Sequence, residues 1–341
     1  MDTTIAITGQ SLSVAVDERT EIMNELVIVA QNIGRGGNTP LDPHATIPPS
    51  LRGRNRWEFL TERISRMQWP DGTTSKPAIV ALTECRGWDE ERLAQAAADL
   101  NLAPIEVCPS LSGNGPGMLY DADQLDCPAW NTAHFDATRH GFGVATFTID
   151  VQGEQFPLSV AAAHLTPFSP VAAEAEAQLL ASRAYRDGAN AVVVGDMNYL
   201  PLTGSTYSTA HMRPYNRASR LIQPRPFYWQ PRTFIGRWAK AIALALSRTR
   251  PNLAVAKTLY ANELFDTAAL MYQRTNDKSY LNWTSPTSRV DWACLSKTLV
   301  PSLIDYQILD SPPWASDHHG IAIRLNLNEC DLSDEAQWQY T

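Results

Sequence analysis

Residues 191–198 run Ala191-Val192-Val193-Val194-Gly195-Asp196-Met197-Asn198. Four apolar residues, three of them β-branched, feed into a glycine, a carboxylate and, two residues later, a carboxamide. A short apolar run bounded by glycine predicts a buried strand that ends at the surface. Side chains alternate along an extended chain, so Asp196 and Asn198 lie on one side. Gly-Asp and Asn also favour turns. Taken alone, the stretch leaves open whether these residues hold a ligand or shape a loop. The decision rests on how the other strands end.

Several end in the same way. Leu26–Ala30 runs into Gln31-Asn32, and Ala78–Leu82 ends on Thr83-Glu84-Cys85-Arg86. Leu158–Ala163 ends on His164, and Arg289–Leu295 predicts a strand containing Asp291. Ile321, Ile323, Leu325 and Leu327 alternate as a half-buried strand, introduced by Ser316-Asp317-His318-His319. Between these lie helices. Trp57, Leu60, Ile64 and Met67 fall at helical spacing, and Asp89 caps a helix running to about Leu100. Ser169-Pro170 opens a third helix, expected to reach Asp187 and to stop at Gly188. Met118–Tyr120 and Gly143–Ile149 add strands in an antiparallel arrangement. Strands interleaved with helices predict an α/β or α+β layered domain.

The 341 residues are 44% hydrophobic, enough for a sizeable core. No apolar run approaches the roughly 18 residues needed to span a bilayer, and the first residues lack the basic start and apolar run of a secretory signal. The five cysteines (Cys85, Cys108, Cys127, Cys294 and Cys330) are scattered and show no CxxC spacing. Reduced thiols in a cytoplasmic protein are the expectation, and a zinc cluster is not. Net charge is -8, but ten basic residues and no acidic ones lie between Tyr199 and Asn262. The remainder holds 18 basic against 36 acidic residues, a net of -18. An acidic body with one basic segment implies a localised anion-facing surface. The expected organisation is an N-terminal extension (1–24), one domain (25–330) with a basic insertion at about 204–258, and a C-terminal tail (331–341).

Taken in order, Gln31-Asn32-Ile33, Leu82-Thr83-Glu84-x-Arg86, Ala163-His164-Leu165, Gly195-Asp196-Met197-Asn198, Arg289-Val290-Asp291-Trp292 and Ser316-Asp317-His318 form a series. The series resembles the endonuclease/exonuclease/phosphatase superfamily, the group with a DNase I-like fold. Each match is weak alone; six in the family's order across residues 26–327 are specific. The resemblance implies a four-layer sandwich, two packed and mostly antiparallel β-sheets flanked by helices. It also implies a divalent metal, Mg²⁺ or Mn²⁺, and cleavage of a phosphoester. Thr83 departs from the glutamine common before the family glutamate, and Gly320 stands where proline or another residue often follows; neither removes a catalytic atom.

Phosphodiesters resist water because the attacking oxygen approaches an anion. A hard cation held by carboxylate and carboxamide oxygens offsets that charge. Glu84, with Asn32 nearby, is the best metal anchor, and Asp317 adds a ligand directly or through water. By resemblance Asp196 orients and deprotonates the attacking water, and Asn198 fixes its geometry. His318 hydrogen-bonds the phosphate or acts as acid–base, with Asp291 as its partner. His164 matches the second histidine of the DNase I and sphingomyelinase branches, and Arg86 a phosphate- or groove-contacting arginine. The rival for Asp291 is a structural salt bridge with Arg289 or another base; for His164 it is a core histidine. His319 is read as structural, while His44, His134, His140 and His211 match no motif.

Arg213–Lys257 interleaves arginines with Tyr215, Phe227, Tyr228, Trp229, Phe234 and Trp238. Arginines contact phosphate in bidentate fashion and aromatic rings stack on unpaired bases, which favours a nucleic acid or nucleotide substrate. Trp238–Leu246 with flanking basic residues also has the pattern of a helix lying on an anionic lipid surface. The expectation is a metal-dependent phosphodiesterase of nuclease type. The alternatives are a phosphomonoesterase, a phospholipid or inositol-phosphate phosphoesterase, and a catalytically silent protein that binds through the basic segment. No obligate protein partner follows from the sequence.

Overall fold

The computed structural model describes residues 25–37, 55–151, 153–203, 252–286 and 288–333. The expected N-terminal extension, most of the basic insertion and the end of the tail lie outside the described residues. So does the proposed lipid-facing stretch Trp238–Leu246.

Twelve strands and five α-helices are described, numbered here in chain order. The strands are β1 (Glu25–Asn32), β2 (Ile79–Thr83), β3 (Ala103–Val107), β4 (Gly117–Tyr120), β5 (Asp126–Asn131) and β6 (Phe142–Val151). They continue with β7 (Glu154–His164), β8 (Ala191–Asp196), β9 (Leu264–Asp266), β10 (Asp291–Ser296), β11 (Leu303–Leu309) and β12 (Gly320–Asn326). The helices are α1 (Arg56–Ser65), α2 (Glu90–Leu100), α3 (Pro170–Ala184), α4 (Ala254–Ala261) and α5 (Thr267–Thr275). Two six-stranded sheets form, ordered β11-β12-β1-β2-β4-β3 and β5-β6-β7-β8-β10-β9. Pairing is antiparallel except for β1 with β2 and β7 with β8.

Alternation explains why the sheets stack. In β1, Leu26, Ile28 and Ala30 face the core between the sheets, while Val27 and Val29 face α1 and α2. In β8, Val192 and Val194 face the inter-sheet core, and Ala191 and Val193 face α3 and α4. Both strands are buried on both faces, as their unbroken apolar runs require. The four layers are therefore helices, sheet, sheet, helices.

Three local expectations shift. The strand through Ile321 and Leu325 is buried on both faces, because β12 lies between β11 and β1 and its Ala322 packs toward α1. Helix α3 ends at Ala184, and the Tyr185 hydroxyl donates to the Glu263 carbonyl at 3.1 Å. The strand expected over Arg289–Leu295 opens at Asp291, and Arg289 precedes it as a buried ion pair with Asp266 at 2.5 Å. Arg289 is thus not the partner of Asp291.

Candidate active site

The topology brings the polar strand ends together. In the second sheet His164, Asp196 and Asp291 are neighbours in register: His164 pairs with Asp196 across the parallel β7/β8 ladder, and Asp196 with Asp291 across β8/β10. In the first sheet Asn32 ends β1 beside Thr83 at the end of β2. Since β12 runs antiparallel to β1, the segment leading into it carries His318 to the same rim. Asn32 Nδ2 bridges the sheets, 3.1 Å from Asp196 Oδ2 and 3.4 Å from Glu84 Oε1.

Asp196 is buried and surrounded by donors. Its Oδ1 accepts from the Asn198 amide at 2.8 Å. Its Oδ2 lies 3.6 Å from His164 Nε2 and 3.8 Å from His318 Nε2. Gly195 permits this approach: its φ is +133°, and a Cβ there would sit 2.0 Å from the Ala163 carbonyl oxygen. Asn198 (φ 58°) and Glu84 (φ 62°) both occupy the left-handed region. Non-glycine residues adopt it at a cost and cluster there at functional sites. Asn198 is held by its Nδ2 donating to the Leu165 carbonyl at 2.8 Å, which ties the Asp196 turn to the end of β7.

Asp291 Oδ2 lies 2.8 Å from His318 Nδ1, both groups being buried. Burial pushes the Asp291 carboxyl up to about 6; His318 opposes this and Asp196 adds to it. Burial by itself lowers the His318 imidazole, but the carboxylates of Asp291 and Asp196 override it and push it up to about 10. His318 therefore holds its proton near neutral pH, with Nε2 directed toward Asp196.

Glu84 is half-buried and wrapped by the glycine-rich loop after β1. Its Oε2 accepts from the Arg35 amide at 2.8 Å, and its carbonyl from the Gly36 amide at 2.8 Å. Asp317, half-buried, adjoins His318, and the guanidinium of buried Arg56 interacts with both Asp317 and Glu84. Arg86 is exposed at this rim, its amide on the Glu84 carbonyl at 2.7 Å. His319 is structural, as expected: its amide donates to Thr284 and its Nδ1 accepts from Ser311.

Two donor sets could meet a cation. Ligand atoms of Asp196, Asp291 and His318 all lie within 4.8 Å of one another. There, however, His318 Nδ1 already pairs with Asp291 Oδ2 at 2.8 Å, and a metal requires a deprotonated imidazole. Glu84 and Asp317 offer carboxylate oxygens, the donor type that suits Mg²⁺ or Mn²⁺. Asn32 turns its amide nitrogen toward the carboxylates and its Oδ1 to the Gly34 amide at 2.9 Å. The Glu84 side fits a hard cation better.

Sequence reasoning passed over several supporting residues. Ser316 Oγ donates to the Asn32 carbonyl at 2.7 Å and accepts from the His318 amide at 3.1 Å, joining β1 to the histidine. Arg56 donates to the carbonyls of Ile33 and Ala315, fixing the loops that carry Glu84's wrapping and Asp317. Thr284 Oγ1 accepts from the amides of Val290 and Asp291. Buried Glu176 accepts from the Arg139 and Thr166 amides, and His140 stacks on His164. Several of these contacts, such as Ser316 with Asn32 and Arg56 with Ala315, join residues far apart in the chain and leave no local signal.

Comparisons with known proteins agree with this fold. A search of curated proteins gives no match. Solved structures with the same fold include the humanized D. rerio TDP2 (TM-score 0.52, 15% identity, covering 89% of this chain and 99% of that one). A second is the 3′ phosphatase NExo from Neisseria bound to a product DNA hairpin (0.52, 12%, 88% and 99%). A third is a family protein from Bacteroides thetaiotaomicron (0.51, 14%, 88% and 97%). At these identities they establish the fold. The Endonuclease/Exonuclease/phosphatase family model matches residues 58–318, most of the chain. The chain belongs to the endonuclease/exonuclease/phosphatase family.

Proposed function

We propose that the protein is a divalent-metal-dependent phosphodiesterase acting on nucleic acid or nucleotide phosphodiester bonds. Members of its family hydrolyse phosphoesters and generally depend on a divalent metal. The observation that carries the reading is Asp196 Oδ2, set among Asn32 Nδ2, His164 Nε2 and His318 Nε2 at 3.1, 3.6 and 3.8 Å. A carboxylate so placed can accept a proton from a water while the two imidazoles hold the phosphate it attacks.

Asp196 orients that water and takes its proton, and Asn198 keeps the turn rigid. His318, kept protonated by Asp291, donates Nε2–H to a phosphoryl oxygen, where growing negative charge strengthens the bond. His164 holds a second oxygen, and Arg86 meets a flanking phosphate from the rim. Glu84 and Asp317, with Asn32 beside them, would hold Mg²⁺ or Mn²⁺, which would supply charge neutralisation at the phosphoryl oxygen.

A second reading is favoured by one neighbour. The 3′ phosphatase from Neisseria shares the fold and holds a product DNA hairpin, so a phosphomonoester at a nucleic-acid end is the competing substrate. The phospholipid reading rests on residues outside those described, and no helix among the described residues is long and apolar enough to cross a membrane. Turnover of single-stranded DNA, duplex DNA, RNA, a 3′-phosphorylated oligonucleotide, inositol phosphates and sphingomyelin, with Mg²⁺ or Mn²⁺ and with chelator, tests the proposal. Chelator-sensitive cleavage of internal nucleic-acid bonds supports it. Cleavage restricted to terminal phosphates or to lipids replaces it.

A further inference from the structure

The two histidines facing Asp196 are held differently. His318 is fixed through its second nitrogen, Nδ1, by Asp291. His164 has no such bond: its Nδ1 is buried and without a hydrogen-bond partner. A carboxylate or carbonyl on that nitrogen is the usual device for orienting a working imidazole. In its place lies a flat face. The His140 ring stacks on His164 with centroids 4.1 Å apart and planes 8° from parallel.

His140 is itself anchored. Its Nδ1 lies 2.7 Å from Ser112 Oγ, and Ser112 Oγ also accepts from the Asn114 amide. The Ser112 amide donates to the Arg139 carbonyl, one residue before His140. On the other side, the two oxygens of Glu176 accept from the Arg139 and Thr166 amides at 2.9 and 2.7 Å. One buried carboxylate thus clamps the segments that carry both rings. Burial, with His164 and Arg139 adding to it, pushes the His140 imidazole down to about 2. The face under His164 therefore stays uncharged.

We propose that His140, seated by Ser112, is a positioning residue for His164, its ring face fixing the plane in which His164 presents Nε2 beside Asp196. The proposal rests on the phosphodiesterase reading for its kinetic consequence, but the geometry is separable from it. A misplaced catalytic group costs roughly 10- to 100-fold in rate.

The test compares wild type, Ser112→Ala, His140→Ala, His140→Phe, His164→Ala and His140→Ala/His164→Ala on bis(4-nitrophenyl) phosphate with Mn²⁺. Thermal melts run alongside. Ser112→Ala and His140→Ala are expected to lower kcat by about 10- to 100-fold with KM changed less than about twofold. His140→Phe, which keeps a flat ring, recovers most of kcat. The double variant matches His164→Ala alone, because groups acting through one another are not additive. Normal kcat in both Ser112→Ala and His140→Ala overturns the proposal, as does an additive loss in the double variant. The imidazole ¹⁵N spectrum reads the same claim without turnover. His164 should give one sharp tautomer pattern in wild type that shifts or broadens in His140→Ala. An inactive chain with that dependence sinks the functional reading and keeps the positioning. An active chain whose His164 pattern ignores His140 does the reverse.

Discussion

Asp196 and Asp291 stand in register on adjacent antiparallel strands, two buried carboxylates at one edge of one sheet. Side by side, both ionised, they repel. The arrangement holds because each has donors. Asn32 and the Asn198 amide serve Asp196, while His318 serves Asp291. The proton on His318 is what lets the second carboxylate remain charged.

Removing that partner has a defined consequence. Asp291→Asn should drop the His318 imidazole from about 10 toward the ordinary histidine value of 6.5, read by NMR titration of the ring. Turnover at neutral pH should fall by roughly 10²- to 10⁴-fold, the usual worth of a positioned acid or base. An unchanged His318 titration would remove the role assigned to Asp291.

Stability should follow pH in two opposite senses in the metal-free protein. His318 is raised above 6.5, so its contribution is fully present below about 6.5 and is lost as pH climbs to about 10. Asp291, raised to about 6, adds loss in the same direction from about 4 upward. His140 is lowered to about 2, so acid favours the unfolded chain below about 6.5. Between about pH 4 and 6 the Asp291 and His140 contributions offset, so urea midpoints should fall above pH 6.5 and again below about pH 4. His318→Gln should flatten the alkaline limb, and His140→Phe the acid limb.

Glu84→Gln keeps the side-chain shape and an oxygen for the Arg35 amide but removes the charge. Calorimetric Mn²⁺ affinity should weaken by at least roughly 10- to 100-fold, with little change in melting temperature. Tight Mn²⁺ binding by this variant would move the cation site elsewhere, the Asp196–Asp291–His318 triad being the first place to look.

Gly195→Ala places a methyl group against the Ala163 carbonyl at a φ of +133°. The two strands at the heart of the second sheet must part, so unfolding free energy should drop by roughly 2–4 kcal/mol in urea titrations. Near-wild-type stability would mean the β7/β8 ladder tolerates a shift that the close contact excludes.

Much of this was legible because burial and chemistry coincide at strand ends. Val192–Val194 and Leu26–Ala30 are apolar enough to be buried on both faces, and each stops on the polar residue that faces the cleft. Asn32, Glu84, His164, Asp196, Asn198, Asp291 and His318 could be marked for that reason. Edge elements were harder to see. β5 carries Pro128, which weakens a strand pattern, and β9 has three residues. β11 mixes Asp305 and Gln307 into its apolar run, and its place beside β12 is a long-range fact. Arg56, Glu176, His140 and Ser112 gain their meaning from partners 10 to 259 residues away, such as Ala315 for Arg56 and Thr166 and Arg139 for Glu176. Their types alone suggest exposed charges or unassigned polar groups.

The central claim is that Asp196 does its work at a metal-assisted phosphoester site. The direct measurement is bis(4-nitrophenyl) phosphate hydrolysis with Mn²⁺ by wild type and Asp196→Asn, each with and without chelator, with folding checked by circular dichroism. Wild type should turn over, chelator should abolish it, and the folded variant should be slower by roughly 10²- to 10⁴-fold. A folded Asp196→Asn variant that keeps the wild-type rate, or a wild-type rate indifferent to chelator, would contradict the account.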